Sequence, residues 1–454
     1  MATDVSRHGM WSSRLVFVLA AAGSAVGLGN IWKFPYITGE NGGGAFVVVY
    51  LACIALVGVP IMMAEVMLGR AGRMSPINTM RKLASASGGS GFWPVIGWMG
   101  VLAGFLILSY YAVIAGWAVY YVGRLASGTF DGADGAASQA AFDAFLADPW
   151  AILLWQTVFM AVTVFIIARG VARGLETAVR WLMPLLLVLL LVLVGYGAAV
   201  GDFARGAGFL FSFDVSSLSV GGLLTAMGHA FFTLSLGMGA IMAYGAYLPG
   251  RTSIAGTVTT IAVLDTVVAL AAGLAIFPIV FATAGLEPGE GPGLMFVTLP
   301  IAFGNLPLGA VVGAVFFLLV SFAAVTSAIS LTEPALAFLV EQYNAKRTRV
   351  AISLGAGCWL LGIGTVLSFN VWADVHVVGG LTFFDFVDYV SYKVLLPVGG
   401  LLIALFAGWV LAKPVVAEEL GFDGWQERLW QAAIRFIAPA GVLVVFGYTI
   451  YQSV

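Results

Sequence analysis

An all-α membrane protein of about eleven spans, arranged as a five-plus-five inverted repeat, is the fold class this sequence predicts. Of its 454 residues, 61% are hydrophobic and 9% are charged, and the mean hydropathy is +1.03. A water-soluble domain could not hide that much apolar surface. Apolar runs of roughly 20 residues, each long enough to cross a bilayer, recur along the whole chain. Two of them, the first and the sixth, are interrupted by glycine near mid-depth.

The runs lie near 15–37, 44–69, 96–124, 150–168, 177–200, 220–248, 255–284, 309–343, 348–368, 382–411 and 430–452. The third and eighth exceed the bilayer thickness, so they should tilt or protrude. The first is no cleaved leader, because Asn30 and Lys33 stand where a small-residue cleavage site would be and further spans follow. Between runs, 70–92, 125–149 and 285–307 are the longest polar stretches. The turn-rich Gly285–Gly293 leads into an apolar run, Leu294 to Phe303, too short to span, which could fold as a hairpin over an outer vestibule. The chain reads as one membrane domain, 1–454: repeat one about 15–200, repeat two about 220–411, and an extra helix about 430–452.

Charge sets the orientation. With the N-terminus inside, Lys33, Arg124, Arg205 and Lys393 fall outside, and the remaining sixteen of the 20 Lys and Arg fall inside. An odd number of spans then leaves the C-terminus outside. Cys53 and Cys358 lie in apolar runs without CxxC spacing, which fits packing. His8, His229 and His376 are too scattered for a metal cluster. There is no N-x-S/T glycosylation acceptor, and the loops are short, which fits a bacterial inner (cell) membrane. No nucleic-acid partner is expected; the lipid bilayer is.

The first break is Gly23-Ser24-Ala25-Val26-Gly27-Leu28-Gly29-Asn30. Each glycine in a helix costs about 1 kcal/mol against alanine. Unwound backbone in lipid has no water to bond to, so it survives only where it lines a cavity or binds something. Close helix packing through small residues is the other reading of these glycines. The second break, Phe231-Phe232-Thr233-Leu234-Ser235-Leu236-Gly237-Met238-Gly239, lies five spans later in a span of opposite direction. Paired breaks of this kind mark ion and substrate sites in secondary transporters.

These residues resemble the neurotransmitter:sodium symporter family, whose bacterial members include LeuT-like amino-acid transporters. The likeness runs through Trp11 to Arg14, Gly23 to Pro35, Glu40 to Phe46, Pro60 with Glu65, Gly69-Arg70, Tyr110-Tyr111, Phe231 to Gly239 and Thr326-Ser327. It implies a LeuT-type fold and sodium-coupled symport of neutral, apolar or aromatic L-amino acids by alternating access. Many relatives have twelve spans, so a monomer or weak dimer is expected here.

The resemblance implies two sodium sites. One would take the Ala25 and Thr233 carbonyls, the Thr233 hydroxyl, Asn30 and Asp265. The other would take the Gly23, Val26 and Ala323 carbonyls with the Thr326 and Ser327 hydroxyls. Back-bonding to a carbonyl one turn earlier is the alternative for those two hydroxyls. Asp265 is an acid inside an apolar run, a functional pointer in itself, although a structural acid bonded to a neighbouring hydroxyl would also be buried there. Relatives that need chloride carry serine one turn later, where this chain has Ala269, so a fixed carboxylate could replace the anion and no chloride is expected.

Substrate carboxylate would meet Leu28, Gly29 and the Tyr111 hydroxyl, and Gly27 leaves room for it. The ammonium would meet Ala25, Phe232, Thr233 and Ser235, and the side chain Ile107, Phe232, Met238, Ser327, Ser330 and Leu331. Ordinary helix packing would also account for any one of these side chains. Lys33 and Asp388 would form an outer gate above the Phe232 lid, meeting only when Phe232 closes over substrate. Trp11, Tyr247 and Glu341, with Arg7 or His8, would form an inner one; a surface charge is an equal reading of Arg7. Gly174 and Pro184 match a segment that unwinds in the family, or else a helix start and a static kink. Enzyme chemistry finds no support: H-E-x-x-H, C-x-x-C and G-x-S-x-G are all absent. A channel and a transporter-like receptor are the remaining rivals.

Overall fold

The computed structural model describes residues 9–213, 216, 218–283, 286 and 293–453. Arg7, His8 and most of the turn-rich 285–292 segment lie outside them. Among the described residues, nine helices are long and apolar enough to cross a membrane, and a tenth crossing is a pair bent by 55°, Arg14–Ala25 with Gly29–Glu40. The sixth run is broken into Val220–Thr233 and Ala240–Gly245. Counting both broken runs, the expected spans are all helical.

Local chemistry sets their ends. Ser13, Asp148, Ser219 and Ser253 accept hydrogen bonds from backbone N–H groups of the first turn in the first, fourth, sixth and seventh spans. Thr382 and Asp385 form a reciprocal capping box at the start of the tenth. Leu294–Thr298 and Leu299–Gly304 follow one another as a short helical segment where a hairpin was expected. The polar stretches are more ordered than expected: Pro76–Ala86 and Gly135–Leu146 are helices, each lying between long spans.

The third span, Val95–Ala126, and the eighth, Gly309–Tyr343, pack along most of their length. The Arg14–Ala25 half of the first span lies against the eighth, the seventh (Ile254–Ala282) and the fifth (Val171–Val200). Trp150, Trp181 and Leu191 on the fourth and fifth spans are exposed, which suits a lipid-facing surface. Cys53 and Cys358 are both buried free thiols.

Each break is held open by identifiable groups. Val26 leaves the helix at φ −72°, ψ 89°. In the sixth span Ser235, Gly237 and Gly239 have φ of 55°, 78° and 71°. A β-carbon on Gly237 would lie 2.4 Å from the Leu396 carbonyl, so only glycine fits. Its freed N–H donates to Glu65 Oε1 at 2.7 Å, which places a fully buried carboxylate from the second span, Gly44–Gly72, against the unwound backbone.

Candidate functional site

The two breaks face each other across a cavity of about 30 Å³. Its walls are Ser24, Ala25, Gly27, Leu28 and Gly29 from the first span, Ile107 and Tyr111 from the third, Phe232, Ser235 and Met238 from the sixth, and Ser327, Ser330 and Leu331 from the eighth. Of the substrate residues expected from the sequence, only Thr233 is not on this wall; it points behind it. Ser24 was not among them. Its signal, a hydroxyl inside the first break, was legible but was absorbed into the run of small residues.

Behind the wall lies a cluster of oxygens. Asn30 Nδ2 donates to Asp265 Oδ1 at 2.7 Å, and the Thr233 hydroxyl sits 3.0 and 3.1 Å from the two carboxylate oxygens. Tyr50 donates to Asp265 Oδ2 at 3.3 Å. All four side chains are buried. Tyr50 was missed because nothing distinguishes it from other aromatics of the second span until the fold brings it 215 residues along the chain to Asp265. His229, with no hydrogen bond among the described residues, packs against the Phe34 and Tyr50 rings at 5.9 and 5.6 Å.

A second group of oxygens gathers at the eighth span. Ser327 Oγ lies 3.4 Å from the Gly23 carbonyl, and Thr326 Oγ1 lies 2.9 Å from the Ala323 carbonyl. Thr326 thus makes the back-bond that was its alternative role, while keeping lone pairs free for a ligand. Among the described residues no three His, Cys, Asp or Glu side chains form a metal cluster. The candidate ion ligands are instead hydroxyl, amide and backbone oxygens around a single acid, a donor set for a hard cation.

Tyr111 carries the plainest invitation to a ligand. Its hydroxyl is buried, with the Ser327 hydroxyl and the Leu28 backbone N–H facing its oxygen, and its own proton finds no acceptor among the described residues. A β-carbon at Gly27 would lie 3.4 Å from that hydroxyl and 2.6 Å from Ser327 Oγ, so any larger residue would crowd the place.

On the Lys33 side of the cavity the two expected gate residues stand apart. Lys33 makes no ion pair with Asp388; its ammonium lies over the Tyr392 ring at 3.9 Å and the Phe232 ring at 5.1 Å. Phe232 and Tyr392 meet edge to face at 5.2 Å. Asp388 lies beside Tyr110; its pairing with Lys33 is expected only once Phe232 closes over substrate. Phe232 also lines an outer cavity of about 410 Å³ with Lys33, Tyr392 and Lys393, so it separates that space from the central one. Cation–π contacts are worth about 0.5–2 kcal/mol. Lys33→Ala and Tyr392→Leu are therefore expected to weaken substrate binding non-additively by that order, in a double-mutant cycle read by equilibrium binding. Additive losses would remove Tyr392 from the lid.

On the inner side, the Trp11 indole donates to the Tyr244 carbonyl at 3.1 Å and its backbone N–H to the Tyr247 carbonyl at 3.0 Å. The ring packs edge-on against Tyr244 and Tyr247. The Tyr247 hydroxyl donates to the buried Glu333 at 2.8 Å. Glu341 accepts from Ser75 and Asn78. Glu333 is itself held by a two-pronged Arg347 guanidinium, at 3.0 and 2.5 Å. Gly174 lies in a widened turn, Val171–Leu175, and Pro184 within the helix that follows, Glu176–Val200.

The sequence matches the Sodium:neurotransmitter symporter family over residues 8–130 and 141–454. The chain belongs to that family. Its members are secondary transporters, not enzymes. The "Uncharacterized sodium-dependent transporter YhdH" of Bacillus subtilis (strain 168) is 39% identical over 440 residues, 96% of each chain. An "Uncharacterized sodium-dependent transporter" of Haemophilus influenzae is 33% identical over 455 residues, 98% of this chain and 99% of its own. Among solved structures, that of MhsT in complex with L-phenylalanine has a TM-score of 0.89 and 46% identity, covering 96% of this chain and 99% of its own. This symporter-family chain thus has the LeuT-type fold and is a multi-pass membrane protein coupled to sodium.

Proposed function

We propose that the chain carries neutral, apolar or aromatic L-amino acids inward with sodium, independently of chloride. The observation that carries this reading is the Tyr111 hydroxyl beside Gly27, whose proton has no acceptor among the described residues, in a cavity backed by the Asp265 cluster. A buried donor without a partner costs about 1–3 kcal/mol, which a substrate carboxylate would recover. Gly27 supplies no acid to hold a bare amine, so the substrate brings its own. The likeness to a protein solved with L-phenylalanine points the same way.

The first sodium would take Asn30, Asp265, the Thr233 hydroxyl and the Ala25 and Thr233 carbonyls. The second would take the Gly23, Val26 and Ala323 carbonyls with Thr326 and Ser327. The Asp265 carboxylate supplies the negative charge that chloride supplies elsewhere, and buried Ala269 offers no hydroxyl to an anion. Gly174 and Pro184 would let the inner part of the fifth span unwind for sodium release. The chain would sit in a bacterial inner membrane, N-terminus inside and C-terminus outside, as a monomer or weak dimer.

In proteoliposomes, labelled L-phenylalanine should enter under a sodium gradient and not in potassium or choline. Replacing chloride by gluconate should leave the rate unchanged. Thr326→Ala with Ser327→Ala should raise the sodium concentration needed for half-maximal uptake. Undiminished uptake without sodium or another driving cation would refute symport, and uptake that collapses without chloride would refute the role given to Asp265.

A further inference from the structure

Three serine hydroxyls meet at one end of the central cavity: Ser24 from the first break, Ser235 from the second and Ser330 from the eighth span, with Ser327 beside them. A serine has one proton to donate and two lone pairs to offer. All four protons are committed within the protein. Ser235 donates to the Ser24 carbonyl at 2.9 Å, Ser330 to the Ser327 carbonyl at 2.8 Å, and Ser327 to the Gly23 and Ser24 carbonyls at 3.4 and 3.3 Å. Ser24 donates to Ser330 Oγ at 2.7 Å, with Ser235 Oγ at 3.1 Å. What remains for a ligand is a patch of acceptors, and none of the four side chains is more than 7% exposed. The Tyr111 hydroxyl, by contrast, has its proton unspent. The cavity is thus polarised, with a free donor beside Gly27 and spent donors around Ser24.

We infer that the Ser24 and Ser330 hydroxyls, next to the Ser235 hydroxyl that the ammonium would meet, select substrates whose side chain donates a hydrogen bond, an indole N–H or a phenol O–H, over apolar side chains of equal size. This rests on the amino-acid transport reading above. An apolar group pressed on the patch strips its lone pairs of water and returns nothing, whereas a donor restores the lost bond. Ser24 and Ser330 are then determinants of specificity within an otherwise apolar pocket.

The test is competition against sodium-driven uptake of labelled L-phenylalanine by the full chain in proteoliposomes. The competitors are L-tryptophan and 3-(3-benzothienyl)-L-alanine, which replaces the indole N–H by sulfur at nearly the same size. Tryptophan should inhibit at a concentration roughly five- to tenfold lower. In Ser330→Ala, and separately in Ser24→Ala, that ratio should fall toward one; read within each variant, it is independent of the overall rate. If neither variant folds, the wild-type ratio decides alone. Equal inhibition in the wild type, with phenylalanine uptake intact, overturns the serine assignment and leaves the transport reading standing. If sodium drives the uptake of no neutral amino acid, the transport reading falls and the serine assignment falls with it.

Discussion

Asp265→Ala is expected to abolish sodium-driven uptake. The carboxylate is fully buried and is the shared partner of Asn30, Thr233 and Tyr50. Removing it takes the only acid from the cluster and leaves up to three polar groups short of a bond. Each buried orphan costs about 1–3 kcal/mol, so the variant should also melt earlier. Asp265→Asn separates the two effects: the amide keeps the volume and can still accept from Tyr50 and Thr233, but the charge is gone. Cation affinity follows ligand charge, so its half-saturating sodium concentration should rise on the order of tenfold while the fold survives. A sodium titration of thermal stability checks this directly. An Asp265→Ala protein with ordinary sodium dependence would show that the cluster is structural.

Arg347→Ala is expected to produce the largest loss of stability. Glu333 has no exposed surface and is held by the paired guanidinium nitrogens of Arg347 and by the Tyr247 hydroxyl. Removing one partner of a buried ion pair costs about 3–5 kcal/mol, because the other charge stays behind without compensation. Thermal unfolding of the purified protein should show a marked drop, and uptake should fall with it. Glu333→Gln combined with Arg347→Met removes both charges and still leaves Tyr247 an acceptor. Most of the lost stability should return in that double variant. An unchanged melting point for Arg347→Ala would mean that the pair contributes nothing.

The residues legible in the sequence were those that violate a local rule. Glycines inside the first and sixth apolar runs revealed both breaks, and an acid inside the seventh revealed Asp265. What escaped notice needed the third dimension. Tyr392 reads as an ordinary interfacial aromatic until the fold sets it beneath Lys33, and no pattern distinguishes an ammonium destined for a ring from one destined for a carboxylate. The Glu333–Arg347 pair was within reach, since an acid beside Pro334 in an apolar run is itself a signal; its partner fourteen residues on was counted only as an inner surface charge. The Pro76–Ala86 and Gly135–Leu146 helices were read as polar connections because their apolar faces are short and divided by polar residues.

The hold of Trp11 on Tyr244 and Tyr247 has a consequence for leakage. Two hydrogen bonds at ~1 kcal/mol each and ~2 kcal/mol of aromatic burial bind the inner half of the first span to the inner half of the sixth. If these residues close the inner face, about 4 kcal/mol in all would lower the population of a spontaneously parted state roughly a thousandfold. A symporter spends ion gradients made elsewhere in the cell, and each unprovoked opening dissipates some of that store without moving cargo. Weakening this one indole contact would turn the protein toward a slow ion leak, visible as sodium entry into vesicles that contain no amino acid.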